Sequence, residues 1–493
     1  MGDQGEKNIT KNTAFYITAL IIQKIFSFTY FSILAANLGT ENIGKYFLAI
    51  SFASIFHIFI DLGLINILIR DIAREEQRAQ KLFSYILAIK LPLAVVVFVL
   101  INLISQLLGY SSELKVMIAL TSIIMLIDNF IISFYGIFRA KHNLIFESLG
   151  TIIFQIIVFS GGLTLLKITK QPKILLLALL FASLINFIYS ALLVKLKLKL
   201  SFKPIFNFFE VKKLLKETLP FAWAGIFTKV YAYIDTIFLS LFVGSQAIGY
   251  YSLPYKMVFS LQFIPLALMA SLYPIFSSLF NFNKNSLSKI YEQAIFFLLL
   301  IILPLAFGSI IIADQLITTV YGKQFQPSIF SLQILMVGLI FVFLNFPVGN
   351  LLNACRLQKI NTKNVGLIML FNIILNFILI KIFDFNFLGA SFASTISSLL
   401  LFAINFNYSL KLINFDFFNF FKKMLKLMLC TLIMVVCLLI LKNQVFFVFN
   451  ILIGMTVYAI SILLTGCLKI ADLKIFVKSI VKKGYEENPL NHA

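Results

Sequence analysis

The chain has 493 residues, of which 60% are hydrophobic and 12% charged, with a formal net charge of +21. Soluble domains carry about a quarter charged residues, so this composition excludes a water-soluble fold and makes lipid the solvent. In a soluble protein the positive balance would point to nucleic acid; here the basic residues lie between apolar runs, where they set topology and meet anionic headgroups, so no nucleic-acid partner is expected.

A spanning helix needs about 20 mostly apolar residues. Fourteen such spans are predicted, beginning near Ala14, Ile43, Leu82, Leu114, Phe146, Ile174, Leu219, Ile248, Ala294, Ile329, Val365, Leu388, Met424 and Val445. The polar start, MGDQGEKNITKNT, followed by a long apolar run, predicts that no signal peptide is cleaved. Connections are short except around Lys195–Lys216 and after Asn407, which leaves no room for an extramembrane domain. With the N-terminus placed inside, 29 of the 41 Lys and Arg residues fall on the cytoplasmic side, 8 on the opposite side and 4 within spans. This asymmetry predicts an even number of spans with both termini cytoplasmic. The loop bearing Lys167, Lys170 and Lys173 is the one violation.

An internal repeat organises the chain. A shift of 205 residues carries Gly39, Gly44 and Tyr46 onto Gly244, Gly249 and Tyr251, Lys24 onto Lys229, and Lys11 onto Lys216. The shift covers six spans, an even number, so the two copies enter the membrane in the same direction and form a parallel repeat. The expected fold class is therefore all-α: a polytopic membrane protein of about fourteen helices, two parallel six-helix lobes plus two extra helices. The expected division is 1–200 for the first lobe, 201–218 for an interfacial linker, 219–410 for the second lobe, 411–468 for spans thirteen and fourteen, and 469–493 for a cytoplasmic tail. In that tail Leu473, Phe476, Val477, Ile480 and Val481 follow helical spacing among lysines, as in a helix lying on the inner leaflet. Phe208–Lys216 has a similar pattern.

Ionisable groups inside spans mark function or structural pairing. Lys24 and Lys229 lie about ten residues into spans one and seven, near the middle of the membrane, and are the leading candidates for a substrate cavity. Lys90 and Lys256 lie nearer span ends, from which a lysine can snorkel to the interface; Lys256 is retained as a cavity candidate. On span seven Thr228, Tyr231 and Asp235 share one helix face and Lys229 and Tyr233 an adjacent stripe, a polar and aromatic wall suited to sugar hydroxyls and ring faces. Asp128 and Asp235 are the acidic cavity candidates, and Asp61, before Leu62-Gly63, is positioned to cap a helix end. Pro254, Pro265 and Pro274 bend span eight. Asn345, Asn350, Asn353, Asn372 and Asn376 are expected to hydrogen-bond between helices.

Signals of catalysis are missing. His57, His142 and His492 neighbour no triad or ligand pattern, no Gly-rich phosphate loop occurs, and Cys355, Cys430, Cys437 and Cys467 lack paired spacing. No enzyme, metal or cofactor is expected.

In the stretches Leu38–Tyr46, Gly244–Tyr251, Tyr321–Phe325, Leu375–Ile380 and Gly389–Ser394, and in their order, the chain resembles the polysaccharide (oligosaccharide-lipid) flippases, or O-antigen translocases, of the multidrug/oligosaccharidyl-lipid/polysaccharide exporter superfamily. The resemblance implies a bacterial cytoplasmic-membrane transporter that works by alternating access. Its substrate would be a polyprenyl-pyrophosphate-linked glycan, with Lys24 and Lys229 meeting the pyrophosphate. Membrane lipid and glycan-assembly proteins would be its partners, it would act as a monomer, and Na+ or H+ would be its possible coupling ion. Two alternatives stand beside it: a drug/cation antiporter, which would favour an acidic cavity, and a membrane-embedded glycan-modifying enzyme, which would need a catalytic histidine or carboxylate cluster.

Overall fold

The computed structural model describes residues 2–467, with side chains from residue 15 onward. The amphipathic tail expected at 469–493 lies outside these residues. Among the described residues every regular element is helical. In chain order these are α1 (Gly2–Phe56), α2 (Ile58–Asp61), α3 (Leu64–Arg74), α4 (Ala79–Leu107), α5 (Ser112–Ala140), α6 (Ile145–Ile168), α7 (Pro172–Lys197), α8 (Phe208–Phe242) and α9 (Ser245–Leu261). There follow α10 (Phe263–Phe282), α11 (Lys284–Ile311), α12 (Ala313–Tyr321), α13 (Ser328–Ala354), α14 (Gln358–Asn376), α15 (Asn386–Leu410), α16 (Phe417–Leu441) and α17 (Phe447–Leu464).

Among the described residues, 13 segments are long and apolar enough to cross a membrane. The first, Phe15–Asp61, is broken at Gly39, whose φ of 78° and ψ of 173° are not helical. It therefore holds two of the fourteen expected spans. Outward faces stay apolar: Val95, Val96 and Val99 on α4 and Leu429, Leu432 and Val436 on α16 are all exposed, as a lipid-facing stripe requires.

The repeat has a structural counterpart. Gly39 and Gly244, 205 residues apart, both take positive φ, 78° and 121°, where the chain turns from one helix into the next. Only glycine enters this region without a steric cost. The following helices then meet at close range. A β-carbon on Gly44 would collide with the Ser245 carbonyl oxygen, and one on Gly249 with the Thr40 carbonyl oxygen. Thr40 and Ser245 are themselves related by the same shift, so the contact is reciprocal, as across a two-fold axis. Deeper in the membrane Tyr251 donates to Asp235 Oδ2 at 2.6 Å; at the equivalent positions Tyr46 faces Tyr30.

The helices pack as two units. The first comprises residues 2–260 with 369–390. Here α5, α6 and α7 pack on one another and on α1, and α3 fits between α5 and α8. Phe83, Phe134 and Phe138 are buried at its centre. The connection after α7 is strapped onto this core: Phe202 meets Phe83 and Phe134 at centroid distances of 5.7 and 5.5 Å, and Ser201 N donates to Gln80 Oε1 at 2.7 Å. Phe208–Lys216, with its tail-like pattern, forms the opening turns of α8, capped by Asn207. The second unit comprises residues 261–368 with 391–467. In it α11 packs on α13 and α16, and α16 on α17. Asn405 on α15 donates to Asn345 on α13 and to Asn361 on α14, at 3.0 and 3.2 Å, and Asn361 donates to Asn353 at 3.1 Å. These are the interhelical asparagine bonds expected from the sequence. Asn350 departs from that expectation, bonding Phe346 O within its own helix.

Candidate functional site

Three lysines of the first unit converge. α1 carries Lys24, α8 carries Lys229 and α9 carries Lys256. Lys24 is near enough to both of the others for mutual repulsion. Each ammonium rests on an aromatic ring: Lys24 Nζ lies 4.4 Å from the Phe259 centroid, Lys256 Nζ 5.5 Å from Phe31, and Lys229 Nζ 5.8 Å from Tyr233. Ring quadrupoles attract cations by about 0.5–2 kcal/mol, which holds the stems in place but does not neutralise charge. Among the described residues none of the three has a carboxylate within ion-pair distance, so the structural pairing of Lys229 with an aspartate does not form. Lys256, which the sequence left free to snorkel, instead joins Lys24. The spacing from the span end was misleading because Phe31 and Phe259 hold the two stems together.

The acidic candidates go elsewhere. Asp235 is buried on α8, accepting from Tyr251 on α9 at 2.6 Å and from Asn376 on α14 at 2.6 Å. Asn376 also donates to Asn372 O, while its Oδ1 is buried without a hydrogen-bond partner. Tyr233, under the Lys229 ammonium, hydrogen-bonds Ser54, while Tyr231 lies close to Asp235. Asp128 does not: on α5 it accepts from Ser183 on α7 at 2.7 Å, apart from the lysine group.

Lys90 corrects the sequence reading most sharply. It does not snorkel but is fully buried, 0% exposed. Its Nζ meets Asp61 Oδ1, Asn129 Oδ1 and Ser133 Oγ, each at 2.7 Å. Asp61 also caps, as expected, accepting from Gly63 N at 3.1 Å where α2 gives way to α3 through Leu62 and Gly63 at positive φ. Asn129 Nδ2 lies 3.3 Å from His57 Nε2, and His57 sits near Lys229. A polar chain thus runs from the buried Asp61–Lys90 pair through Asn129 and His57 to the lysine group. Sequence reasoning set His57 aside and did not single out Asn129. Nothing in their spacing marks them; they meet where the chain breaks at His57, between α1 and α2.

The family model described as polysaccharide biosynthesis protein matches residues 9–280, more than half of the chain. The chain belongs to this family. Family relatives extend the similarity. The chain is 22% identical over 373 residues to "Probable low-salt glycan biosynthesis flippase Agl15" of Haloferax volcanii, covering 75% of this chain and 76% of that one. It is 23% identical over 409 residues to capsular polysaccharide biosynthesis protein CapF of Staphylococcus aureus, covering 79% and 96%. Among solved structures, lipid II flippase MurJ in an inward closed conformation aligns with a TM-score of 0.75 at 19% identity, over 90% of this chain and 97% of that one. Polysaccharide biosynthesis family membership and this shared fold agree with the flippase-like architecture expected from the sequence.

Proposed function

We propose that this membrane transporter flips a polyprenyl-pyrophosphate-linked oligosaccharide repeat unit across the cytoplasmic membrane for surface polysaccharide synthesis, by alternating access. The observation that carries this reading is the group Lys24, Lys229 and Lys256, three ammoniums at membrane depth with aromatic contacts and no carboxylate partner among the described residues. A charged side chain there costs about 2.5–3.5 kcal/mol on insertion scales, and such a cost is retained where an anion supplies the missing partner. At an effective dielectric near 20, a unit pair 4 Å apart gains about 4 kcal/mol. The flanking rings of Tyr231 and Tyr233 suit sugar faces. A cation antiporter is disfavoured by the same charge, because a cationic drug would be repelled.

The reading has finer parts. The termini are cytoplasmic, the unit of function is the monomer, and glycan-assembly proteins are its partners. The coupling ion, Na+ or H+, takes the Asp235 carboxylate, where Asn376 and Tyr251 converge; Asp235→Asn then abolishes ion-dependent transport without loss of protein.

The test is surface glycan in a strain lacking the native gene, with membrane protein level measured alongside. Lys24→Ala and Lys229→Ala each block export while the protein still inserts. Normal export by both well-expressed variants would sink the electrostatic mechanism.

A further inference from the structure

A second charged cavity lies away from the lysine group, at the end of the first unit where α3, the start of α4 and the start of α8 meet. It has a volume of about 690 Å³, within the range of small-molecule sites of about 300–1,000 Å³. Its charges are not balanced one against one. Three of the four lining acids are engaged: Arg70 holds Asp71 at 2.6 Å and Glu217 at 2.6 Å, and Arg78 holds Glu75 at 2.8 Å. Glu210 sits in the first turn of α8, where the helix dipole favours a negative charge. Arg74, Lys81 and Lys213 line the same cavity and make no ion pair among the described residues. Below them the lining is the buried Leu82, Tyr85 and Leu214.

Exposed lysines on a convex surface are ordinarily solvated and bind nothing. A concave site focuses the field of like charges and concentrates counter-ions. Two of the three cations come from the α3–α4 corner and the third from α8, and Arg70–Glu217 fastens those elements together. The cavity lies on the face that the basic loops assign to the cytoplasm.

We propose that Arg74, Lys81 and Lys213 form a second anion site that takes a phosphate-bearing headgroup at the membrane surface, distinct from the Lys24–Lys229–Lys256 group. The site is placed to receive the pyrophosphate of a lipid-linked glycan before it reaches the deeper lysines. An anionic phospholipid headgroup presents the same chemistry. Only the choice of pyrophosphate as the natural occupant rests on the flippase reading; the site itself does not.

The experiment is calorimetric titration of the full-length protein in neutral-detergent micelles with inorganic pyrophosphate. Three proteins are compared: wild type, the Lys24→Gln/Lys229→Gln/Lys256→Gln deep-group variant, and the Arg74→Gln/Lys81→Gln/Lys213→Gln triple variant. The deep-group variant keeps a pyrophosphate site. The triple variant loses that site, with affinity falling about tenfold or more, since charge-assisted bonds to phosphate carry the binding. An Arg74→Lys/Lys81→Arg/Lys213→Arg variant, which keeps the charge, retains binding and separates loss of the site from loss of fold. Displacement by polyprenyl pyrophosphate but not by phosphatidylglycerol assigns the site to substrate; displacement by both assigns it to headgroup phosphate in general. Unchanged binding in a monodisperse Arg74→Gln/Lys81→Gln/Lys213→Gln variant, or no site left in the deep-group variant, overturns the proposal. Neither result depends on glycan export, so failure here is separate from failure of the flippase reading.

Discussion

Lys24 and Lys90 are both lysines inside spans, and their surroundings give them opposite work. Lys90 is enclosed by Asp61, Asn129 and Ser133, so removing it leaves a buried carboxylate without its partner. Breaking such a pair costs about 3–5 kcal/mol; Lys90→Ala is therefore expected to lower the amount of folded protein in the membrane. Asp61→Asn with Lys90→Met, which removes both charges, recovers part of it, read by detergent thermal stability. Lys24 and Lys229 lack a carboxylate partner, so Lys24→Ala and Lys229→Ala leave the fold intact and remove export, and Lys→Arg retains more export than Lys→Ala because charge matters more than shape here. The repeat singled out Lys24 and Lys229 as a related pair, and the structure brings them near one another. The fate of Lys90 was not legible, because distance along a helix says nothing about which residues on α5 stand opposite. Asp235 shows the same limit: its place on a polar helix face could be read, its engagement by Asn376 could not.

At the scale of elements, the two copies of the repeat touch through α1 beyond Gly39 and through α9. Gly44 and Gly249 allow backbone carbonyls of the opposite copy into the space a side chain would fill. Overpacking such a contact costs about 1–3 kcal/mol. Gly44→Val and Gly249→Val are each expected to lower thermal stability by that order, and because the two glycines share one reciprocal contact, the double variant should cost less than the sum. Additive losses would show that the contacts act independently. The repeat was readable because glycine at a helix junction survives as a recognisable letter after duplication. The break of the second span at His57–Gly63 was less readable, since Leu62 at positive φ has no sequence signature and Gly63 alone is compatible with a continuous span.

At the scale of the molecule, the charge asymmetry predicts orientation. Reporter tags at Gly244 and Gly322 are expected outside and tags at Asn207 and Asn361 inside; a cytoplasmic signal at Gly244 would falsify the span count and the parallel repeat together. The lysine group has an electrical consequence. A charge carried across the whole membrane field exchanges about 2.3 kcal/mol per 100 mV. An interior-negative voltage therefore pulls the three uncompensated ammoniums toward the cytoplasm and biases the empty carrier toward arrangements that bring them nearer that side. On the proposed reading, a bound pyrophosphate diester, with two negative charges, offsets most of their charge and weakens the bias. The energised membrane thus acts as a return spring mainly for the unloaded protein. Spin-label distances under an imposed potassium potential should shift in the empty wild type, and should stay fixed in the Lys24→Gln/Lys229→Gln/Lys256→Gln variant.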